Sequence, residues 1–515
     1  MTKYDAIVIG SGIGGLGTAA MLARHGKKVL VLERHYVAGG LTHTFRRRQF
    51  EWDVGVHYLG QVHDPEHPLR RAFDYVTGGK LAWAPMDPVY DRMIFDDARF
   101  EFRTGVETLK DDLSRAFPSE ARAIGSYFDT VRRAARSADK FFLQRIVPKW
   151  LGWLLHPVLG RPFQRYAGRT TLSMLRSWTR NERLIGVLTG QWGNYGLPPE
   201  RSSFGMHALV ADYYLEGASY PVGGASRLAS TIMPVIEAVG GDVWTSTPVA
   251  NILVRDGKAI GVRTEAGLEV FAPCIVSNAG VETTLNQLLP VSPRAERSAC
   301  PPPSTGHIAL YLGLSGTASE LGLGSSNLWV HAGYDHDATT RAFERNPQAP
   351  FPLVYINSPS AKDPDWERRH PGISTVVAIV PASFAPFARW SGTRWAKRGR
   401  EYIDYKAWLT ERLLAIVCRE LPGVKGRILH QELSTPLSTV HFTGHAAGAM
   451  YGFEHSPQRF HTRWLRSASP VPGLFFVGQD VVTVGVGASL MSGVLASSVI
   501  LRRNVLGDVL RGGST

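Results

Sequence analysis

The sequence predicts an α/β protein built on a Rossmann-like dinucleotide-binding domain. Three observations predict it: a strand, glycine-rich turn, helix and strand at the amino end, a second strand, turn and helix at 473–493, and β segments with hairpin turns at 243–278. Strands that alternate with helices indicate an α/β fold.

The first element is the amino-terminal βαβ unit. The apolar run 4–9 predicts a buried strand, the helical composition of 13–24 ends at Gly26, and a second strand ends at Glu33. The turn between them reads GxGxxG. Its glycines let backbone N–H groups approach a pyrophosphate, and the acid can accept hydrogen bonds from ribose hydroxyls. The sequence therefore predicts a dinucleotide site at Gly10, Ser11, Gly12, Gly14, Gly15, Glu33 and Arg34.

Two further glycine-rich stretches extend this site. One is the pair Gly39-Gly40, which is followed by His43, and the other is the carboxyl-terminal segment 473–493. The latter reads as a buried strand, a polar turn at Asp480 and a small-residue helix. A glycine-started helix offers backbone N–H groups to an anion or a carbonyl. Both stretches are therefore candidates for cofactor contact.

The motifs extend along nearly the whole chain and resemble one family. They resemble the phytoene desaturase-like FAD-dependent oxidoreductases of the flavin amine oxidase superfamily, and within them the retinol saturase and carotenoid isomerase branch. One departure is Leu41, where related enzymes commonly have arginine after the glycine pair, so contacts of that arginine cannot be carried over. The segments that carry the resemblance are 39–45, 52–60, 191–203, 352–363, 448–460 and 478–493.

The resemblance implies a Rossmann-like FAD-binding domain of the GDI/amine-oxidase type, with an inserted α+β substrate domain that has an antiparallel sheet and a helical cap. The implied FAD domain is 1–65, 215–290 and 460–515. The substrate domain is 66–214 and 291–459, with 105–200 as a membrane-facing cap. The resemblance places Val249 near the adenine, Asp480 at the ribityl chain and the Gly487-Ala488 backbone at the flavin O2 side. The other implied cofactor contacts are Gly39, Gly40, His43 and Gly478.

The resemblance also implies a reaction at carbon–carbon double bonds of a polyene or unsaturated lipid. We expect saturation or desaturation by hydride transfer with flavin N5, with an electron donor or acceptor that the sequence does not identify. A flavin-dependent cis-trans isomerase and a non-catalytic lipid-binding protein on a GDI-like scaffold remain alternatives. His57 and Tyr58 are the leading proton-transfer candidates, and Tyr451 and Glu454 are secondary ones, although each can instead pack or line the site. No metal-binding motif is present in the sequence.

The positive charge of the chain is concentrated in one segment. The formal net charge is +13, and 131–170 contains nine Lys or Arg against one Asp, interleaved with aromatic and aliphatic residues. This combination is typical of a segment that lies on an anionic membrane, although a helical cap with a solvated basic face remains an alternative. No nucleic-acid-binding signature accompanies it. With three distant cysteines and no room for a signal peptide before the first strand, we expect a cytoplasmic, peripheral membrane protein.

Overall fold

The computed structural model describes residues 3–290 and 299–512, and within them every side chain except that of Lys149. Its strands follow the chain from the amino-terminal unit to the carboxyl-terminal turn. They are β1 Ala6–Ile9, β2 Val29–Leu32, β3 Thr44–Arg47, β4 Phe50–Asp53, β5 Leu59–Gly60, β6 Trp83–Pro85, β7 Val89–Ile94, β8 Arg99–Arg103, β9 Ala218–Pro221, β10 Asp242–Trp244, β11 Val249–Arg255, β12 Lys258–Thr264, β13 Glu269–Phe271, β14 Cys274–Ser277, β15 Gly306–Ser315, β16 Asn327–His331, β17 Leu353–Asn357, β18 Ile373–Ala382, β19 Ile428–Ser434 and β20 Leu474–Phe476.

Among the described residues, seven α-helices lie between β8 and β9. In chain order, the α-helices are α1 Ile13–Ala23, α2 Pro68–Thr77, α3 Val106–Ala116, α4 Ala121–Leu143, α5 Lys149–Leu159, α6 Arg161–Ala167, α7 Thr171–Leu175, α8 Glu182–Leu188, α9 Phe204–Tyr214, α10 Arg227–Glu237, α11 Val281–Thr283, α12 His336–Arg345, α13 Pro359–Lys362, α14 Trp366–Arg369, α15 Arg400–Glu420, α16 Pro436–Thr443, α17 Pro457–His461, α18 Val486–Leu501 and α19 Val505–Leu510.

A five-stranded parallel sheet forms the first layer of the fold. Its strand order is β10-β2-β1-β14-β20, and each neighbouring pair is parallel. The predicted Rossmann-like α/β fold is confirmed. Strands β1 and β2 of this sheet come from the amino end of the chain, β10 and β14 from the middle, and β20 from the carboxyl end. The carboxyl ends of β1, β2, β14 and β20 meet at one edge of this sheet, the place where ligands bind in open α/β sheets.

Helices α1 and α18 pack against each other through small residues. A Cβ added at Gly17 would lie 2.6 Å from Cδ1 of Leu490, and one at Gly493 would lie 2.9 Å from the Thr18 nitrogen. Larger side chains would separate the two helices and cost packing energy. The close approach holds the amino-terminal and carboxyl-terminal glycine turns together at the same sheet edge.

The second layer contains a seven-stranded sheet in the order β19-β15-β18-β17-β16-β7-β8. The predicted sheet was antiparallel, and this holds for every neighbouring pair except β16 and β7, which are parallel. Parallel neighbours need a long crossover connection, and β7 and β16 have one because they are far apart in the sequence. The assignment of residues to two domains stays a prediction.

Residues 105–200 are mainly helical, as predicted, and comprise α3 to α8 with a 3₁₀ turn at Gly190–Asn194. Helix α4 buries one face, including Ile124, Tyr127 and Val131, against α9 and its neighbours. Its opposite face carries exposed basic side chains such as Arg133 and Arg136. This amphipathic pattern is that of a surface helix that covers a core.

Candidate functional site

The turn between β1 and α1 presents bare backbone at the sheet edge. Gly10 has a φ of 91°, a left-handed conformation that glycine adopts readily. A Cβ at Gly12 would lie 2.5 Å from Nδ2 of Asn278, and one at Gly14 would lie 2.9 Å from Oδ1 of the same side chain. A Cβ at Gly15 would lie 2.2 Å from the Gly10 carbonyl oxygen, so Gly15 serves the close packing of helix and strand.

Glu33 is held at the end of β2 by three hydrogen bonds. Its Oε2 accepts from the Ser11 backbone N–H at 2.8 Å and from the Ser11 hydroxyl at 2.7 Å, and its Oε1 accepts from the His35 N–H at 2.8 Å. The Ser11 hydroxyl also accepts from the Gly39 N–H at 3.0 Å, which ties the two amino-terminal glycine turns together. A carboxylate has about four acceptor positions, so Glu33 keeps capacity for a further hydroxyl donor.

The carboxyl-terminal turn meets the same edge. Asp480 is 5% exposed, and its carboxylate accepts from the backbone N–H groups of Val281 at 2.8 Å and Phe453 at 2.9 Å. The buried Arg459 donates to the carbonyl oxygens of Gln479 at 2.5 Å and Asp480 at 3.0 Å. These contacts fix the turn from both sides.

A cavity of about 430 Å³ runs along this edge. It includes Asn278 and the residues just before and within α18, namely Gly485, Val486 and Ser489. The predicted cofactor residues that line it are Gly10, Gly12, Gly14, Glu33, Arg34, Gly40, His43, Val249, Gly478 and Asp480. The other predicted cofactor residues, which are absent from its lining, are Ser11, Gly15, Gly39, Gly487 and Ala488.

Four of the five residues outside the lining have contacts that explain their place. Ser11 donates to Glu33 and Gly39 donates to the Ser11 hydroxyl, as described above, and Gly15 packs on the Gly10 carbonyl. A Cβ at Gly487 would lie 2.8 Å from Cδ2 of Leu69, so this glycine allows α18 to approach α2. The contact of the Gly487-Ala488 backbone with a flavin stays a prediction.

The cavity has two ends with different chemistry. We call the part lined by Glu33 and Val249 the cofactor end, and the part lined by His307, Tyr311 and Tyr451 the redox end. Burial lowers the pKa of His307 to about 4, so the imidazole is neutral at pH 7. Its Nδ1 has no hydrogen-bond partner among the described residues, which leaves it able to bind a ligand.

Sequence reasoning missed several of these residues. Asn278 had a usable signal, because it directly follows β14, a strand that neighbours β1, and the carboxyl ends of such strands form the ligand-binding edge. His307 and Tyr311 lie on a strand of the other layer, in a stretch with no motif. Their position depends on how the seven-stranded sheet packs against the cavity, which the local sequence does not encode.

His57 and Tyr58 lie in the protein interior beside this cavity but are not part of its described lining, whereas the preceding Val54 and Gly55 line it. Burial, with smaller effects from Lys362 and His307, lowers the pKa of His57 to about 3. The Tyr58 hydroxyl donates to Oδ2 of Asp91 at 3.0 Å. Burial raises the pKa of this phenol well above its usual value.

The two secondary candidates lie apart from each other. Tyr451 lines the cavity, and its hydroxyl donates to the Gly193 carbonyl oxygen at 2.9 Å. Glu454 is outside the cavity lining and forms an ion pair with Arg201 at 3.0 Å. Of the four predicted proton-transfer residues, only Tyr451 has its side chain in the described cavity wall.

The residues present fit a dinucleotide that contains a pyrophosphate. The bare glycine backbone leaves room that a Cβ would fill, and the N-terminus of α1 follows Gly12, which has no side chain to cap it. The first turn of α1, Ile13-Gly14-Gly15, carries no acid, so its free N–H groups and the helix dipole favour a phosphate there. Glu33 then stands where a ribose would follow.

The basic segment 131–170 presents an apolar surface on α5. Trp150, Trp153, Leu154 and Val158 recur at helical spacing, and their side chains are 60–70% exposed. One basic residue departs from the prediction: Arg145 points inward and donates to the Leu465 carbonyl oxygen at 2.8 Å. The prediction that the basic side chains of this segment face a membrane is therefore wrong for Arg145.

In residues 3–290 and 299–512, no helix combines the length and the apolar character that crossing a bilayer requires. Lys149 is another basic residue of the predicted membrane contact, and its side chain lies outside the described structure.

Comparisons with known proteins agree with this architecture. Residues 8–76 match the model of the NAD(P)-binding Rossmann-like domain family. The chain is 34% identical to the all-trans-retinol 13,14-reductase of Macaca fascicularis over 99% of this chain and 88% of that protein. It is 24% identical to prolycopene isomerase 1, chloroplastic, of an Oncidium hybrid cultivar, over 96% of this chain and 83% of that protein.

Among solved structures, the fold is similar to that of a putrescine oxidase bound to putrescine. The TM-score is 0.63 at 17% identity, over 97% of this chain and 99% of that one. This likeness shows a flavin amine oxidase type of fold. Together with the full-length relatives, it shows that the chain belongs to the phytoene desaturase-like family of flavin-dependent oxidoreductases, in the branch of the retinol saturases and carotenoid isomerases.

Proposed function

We propose that this protein binds FAD and reduces a carbon–carbon double bond of a polyene or unsaturated lipid, or catalyses the reverse desaturation. The observation that carries the proposal is the complete dinucleotide edge, with Glu33, Asp480 and the glycine turns all in place, in a chain that matches retinol reductases along 99% of its length. The cavity continues from that edge to the redox end, where the aromatic side chains of the lining would suit an apolar substrate.

The residue roles toward FAD are those that the family resemblance implies, and the cavity lining supports them. The α1 N-terminus would hold the pyrophosphate, Glu33 the adenosine ribose, Val249 the adenine side, and Asp480 the ribityl chain. Bound FAD supplies hydride chemistry at flavin N5. The chain itself must then orient the substrate, exclude water and move one proton at the carbon that does not exchange the hydride.

Two phenols of this chain are candidates for the proton transfer. Tyr451 lines the redox end, and Tyr58 lies close behind it. His307 also lines the redox end. Both phenols stay protonated at neutral pH because burial raises their pKa, so each can donate a proton. His57 and His307 are neutral because burial lowers their pKa, which favours hydrogen bonding over acid catalysis. Glu454, in its ion pair, is assigned to orienting the loop beside Tyr451.

One alternative is cis-trans isomerisation of a polyene without net redox change, and the similarity to prolycopene isomerase favours keeping it. The other is a non-catalytic lipid-binding protein on the same scaffold. The intact Glu33, Asp480 and glycine turns speak against a protein that has lost its flavin. The electron donor or acceptor is unidentified.

The proposal is tested by anaerobic incubation of the FAD-loaded protein, oxidised and then reduced, with retinol, a carotenoid and an unsaturated fatty acid. Products are analysed by mass and chromatographic retention. A gain of two hydrogens from the reduced protein identifies a saturase, a loss from the oxidised protein a desaturase, and unchanged mass with altered retention an isomerase. A colourless protein that cannot be reconstituted with FAD would overturn the enzyme proposal.

We further propose that α5 and its basic surroundings dock on an anionic membrane at the cytoplasmic side, from which the enzyme draws its insoluble substrate. Exposed tryptophans beside basic side chains are the combination that interfacial helices use. Arg133 and Arg136 on α4 and Arg161 and Arg165 on α6 are exposed, and each basic residue near such a surface contributes about 1 kcal/mol.

Flotation with vesicles that contain phosphatidylserine tests the docking. Wild type should float, and either high salt or the double variant Trp150→Ser/Trp153→Ser should reduce flotation. The matched control is Ile403→Ser/Leu429→Ser, which removes two exposed apolar side chains elsewhere and should leave flotation unchanged. Equal binding to neutral and anionic vesicles, or flotation that survives the tryptophan changes, would contradict membrane docking through this segment.

A further inference from the structure

The cavity wall carries an ion pair that the proposed function does not use. Arg47, at the end of β3, and Glu432, on β19, both line the cavity. Nε of Arg47 donates to Oε2 of Glu432 at 2.9 Å, and Nη2 of Arg47 donates to Oε1 at 3.4 Å. The guanidinium and the carboxylate therefore meet side by side, an arrangement that fixes the orientation of both groups.

Strand pairing places this ion pair beside the redox end. Glu432 lies directly opposite Tyr311 in the antiparallel pair of β19 and β15, and the side chains of opposite residues are neighbours in such a pair. The Arg47 guanidinium lies 5.3 Å from the centre of the Phe45 ring. That ring meets the Tyr311 ring edge to face, with centroids 4.8 Å apart. Since Phe45 and Tyr311 also line the cavity, an aromatic part of the wall leads directly to the ion pair.

The ion pair is more exposed than the aromatic wall beside it. The side chains of Arg47 and Glu432 are 40% and 32% exposed, whereas Tyr311 is 4% exposed. A ligand that binds along this wall can therefore bury an apolar chain against the aromatic rings and keep a polar group near water. Ligand sites commonly combine apolar walls with a few polar groups that fix the orientation of the ligand.

Both members of the pair keep hydrogen-bonding capacity. Of the five N–H donors of Arg47, three have partners in the described part of the chain, two of them on Glu432 and one on the Arg46 carbonyl oxygen. The Glu432 carboxylate has about four acceptor positions, and Arg47 occupies two of them. The pair can therefore donate to one ligand group and accept from it at the same time.

The wall around this pair presents little net charge to a ligand, because Arg47 and Glu432 offset each other. Burial lowers the pKa of His307 to about 4 and raises that of Tyr311 to about 12, so both side chains are neutral at pH 7. Two other basic side chains approach Glu432. They are His430, whose Nε2 lies 3.8 Å from Oε2, and Lys406, which acts at longer range, and neither is part of the described cavity lining.

This balance of charge discriminates between polar groups. A carboxylate would lose hydration and would meet the Glu432 charge as well as the Arg47 charge, so it gains little net attraction. A hydroxyl group is neutral, and it both donates and accepts hydrogen bonds. It therefore matches the free positions on both members of the pair.

We infer that Arg47 and Glu432 form a subsite for the polar terminus of the lipid substrate and select an uncharged hydroxyl group over a carboxylate. The inference rests on the proposed function and defines its substrate more closely, as an unsaturated lipid alcohol whose chain lies along Phe45 and Tyr311. Glu432 accepts a hydrogen bond from the hydroxyl group, and Arg47 donates one to its oxygen. The two residues determine specificity and take no part in the hydride or proton transfer.

Equilibrium binding of chain-matched lipids to the FAD-loaded protein tests the subsite without requiring turnover. One series is retinol, retinoic acid and the hydrocarbon in which hydrogen replaces the hydroxyl group of retinol. The other is oleyl alcohol, oleic acid and cis-9-octadecene. In at least one series, wild type should bind the alcohol about tenfold more tightly than the acid or the hydrocarbon, the effect of one hydrogen bond to a charged group.

Charge variants should change this preference in a predictable direction. Glu432→Gln leaves the Arg47 charge uncompensated, so the variant should bind the acid about tenfold or more tightly than wild type does, and the preference for the alcohol should be lost. Arg47→Gln leaves the Glu432 charge unpaired and should bind the acid more weakly than wild type does. Because an exposed ion pair contributes little to folding stability, both variants should fold.

The matched control is Glu269→Gln. It breaks an ion pair with Arg263 in the hairpin of β12 and β13, where the distance is 2.6 Å and the side chains are 49% and 38% exposed. Neither residue is part of the described cavity lining, so the lipid preference of this variant should equal that of wild type. The affinity for FAD should be unchanged in all three variants.

The outcomes distinguish the subsite from the proposed function. The subsite is overturned if the three lipids of each series bind equally, if none of them binds, or if Glu432→Gln keeps the wild-type preference. It is also overturned if Glu432→Gln alters FAD affinity and not lipid preference, since the pair then serves the cofactor. If the lipids bind with the predicted preference but none is converted, the proposed function fails while the subsite stands. Loss of the alcohol preference in Glu432→Gln, with the control and FAD affinity unchanged, supports the subsite.

Discussion

The two ends of the cavity are constructed in different ways. The cofactor end is made of backbone from short motifs, in which missing side chains, such as those of Gly12 and Gly14, create the space. The redox end is made of large side chains, such as His307, Tyr311 and Tyr451, that reach the cavity from separate passages of the chain. The difference teaches that ligand affinity at a site built from main chain is lowered by added side-chain atoms. The function of a site built from side chains is lowered when a side chain is removed or its protonation state changes.

The largest effect is expected from an added side chain at the cofactor end. Gly12→Val places a Cβ 2.5 Å from Nδ2 of Asn278 and adds two further carbons at a residue that lines the cavity. We expect FAD affinity to fall by about 100-fold or more, which corresponds to about 3 kcal/mol, as measured by titration of the apoprotein.

The control for this change is Gly324→Val. Among the described residues, no atom lies within 4 Å of a Cβ added at Gly324, so FAD affinity should be unaltered. If Gly12→Val binds FAD as tightly as the control does, the cofactor end is not a backbone site and the comparison between the two ends fails.

A smaller effect concerns the redox end in acid. Burial holds the pKa of His307 at about 4, below the value of about 6.5 for an unfolded chain, so the unfolded state binds the proton first. Stability should therefore fall as pH drops from 6.5 towards 4. In His307→Gln the fall in the free energy of unfolding between pH 7 and pH 5 should be smaller by about 2 kcal/mol, as measured by urea denaturation.

The same loss of stability in wild type and in His307→Gln would show that this imidazole is already solvated. The redox end would then be more open to water than its lining indicates.

The smallest effect is expected where the cofactor end does use a side chain. Glu33→Gln weakens the acceptor for a ribose hydroxyl and disturbs the bonds from Ser11, so FAD affinity should fall by about tenfold. Fluorescence titration of the apoprotein measures it, with the exposed Glu237→Gln as the matched control. An unchanged affinity would show that Glu33 supports the turn without touching the ribose.

These differences also explain what could be predicted from sequence. The strand, glycine turn, helix and strand at the amino end and the hairpins within 243–278 follow from local patterns, whereas the helical region 105–200 follows from the family resemblance. The structure contains all of them. The glycine turns and Glu33 could be predicted as cofactor contacts because the residues that form this motif are close together in the sequence. The ion pair of Arg47 and Glu432 could not be predicted, since no spacing along the chain signals that two distant side chains meet at the cavity wall. The inward turn of Arg145 was hidden for the same reason: its acceptor, the Leu465 carbonyl, is supplied by a distant loop.

The most direct test of the central claim is a single turnover of the FAD-loaded protein. The holoprotein is reduced chemically without oxygen and mixed with all-trans-retinol, a carotenoid or an unsaturated fatty acid in separate experiments. We expect that with at least one of them the visible absorption of oxidised flavin returns in step with a product that has gained two hydrogens. Flavin that stays reduced with all three, with every lipid recovered unchanged in mass and retention, would contradict it.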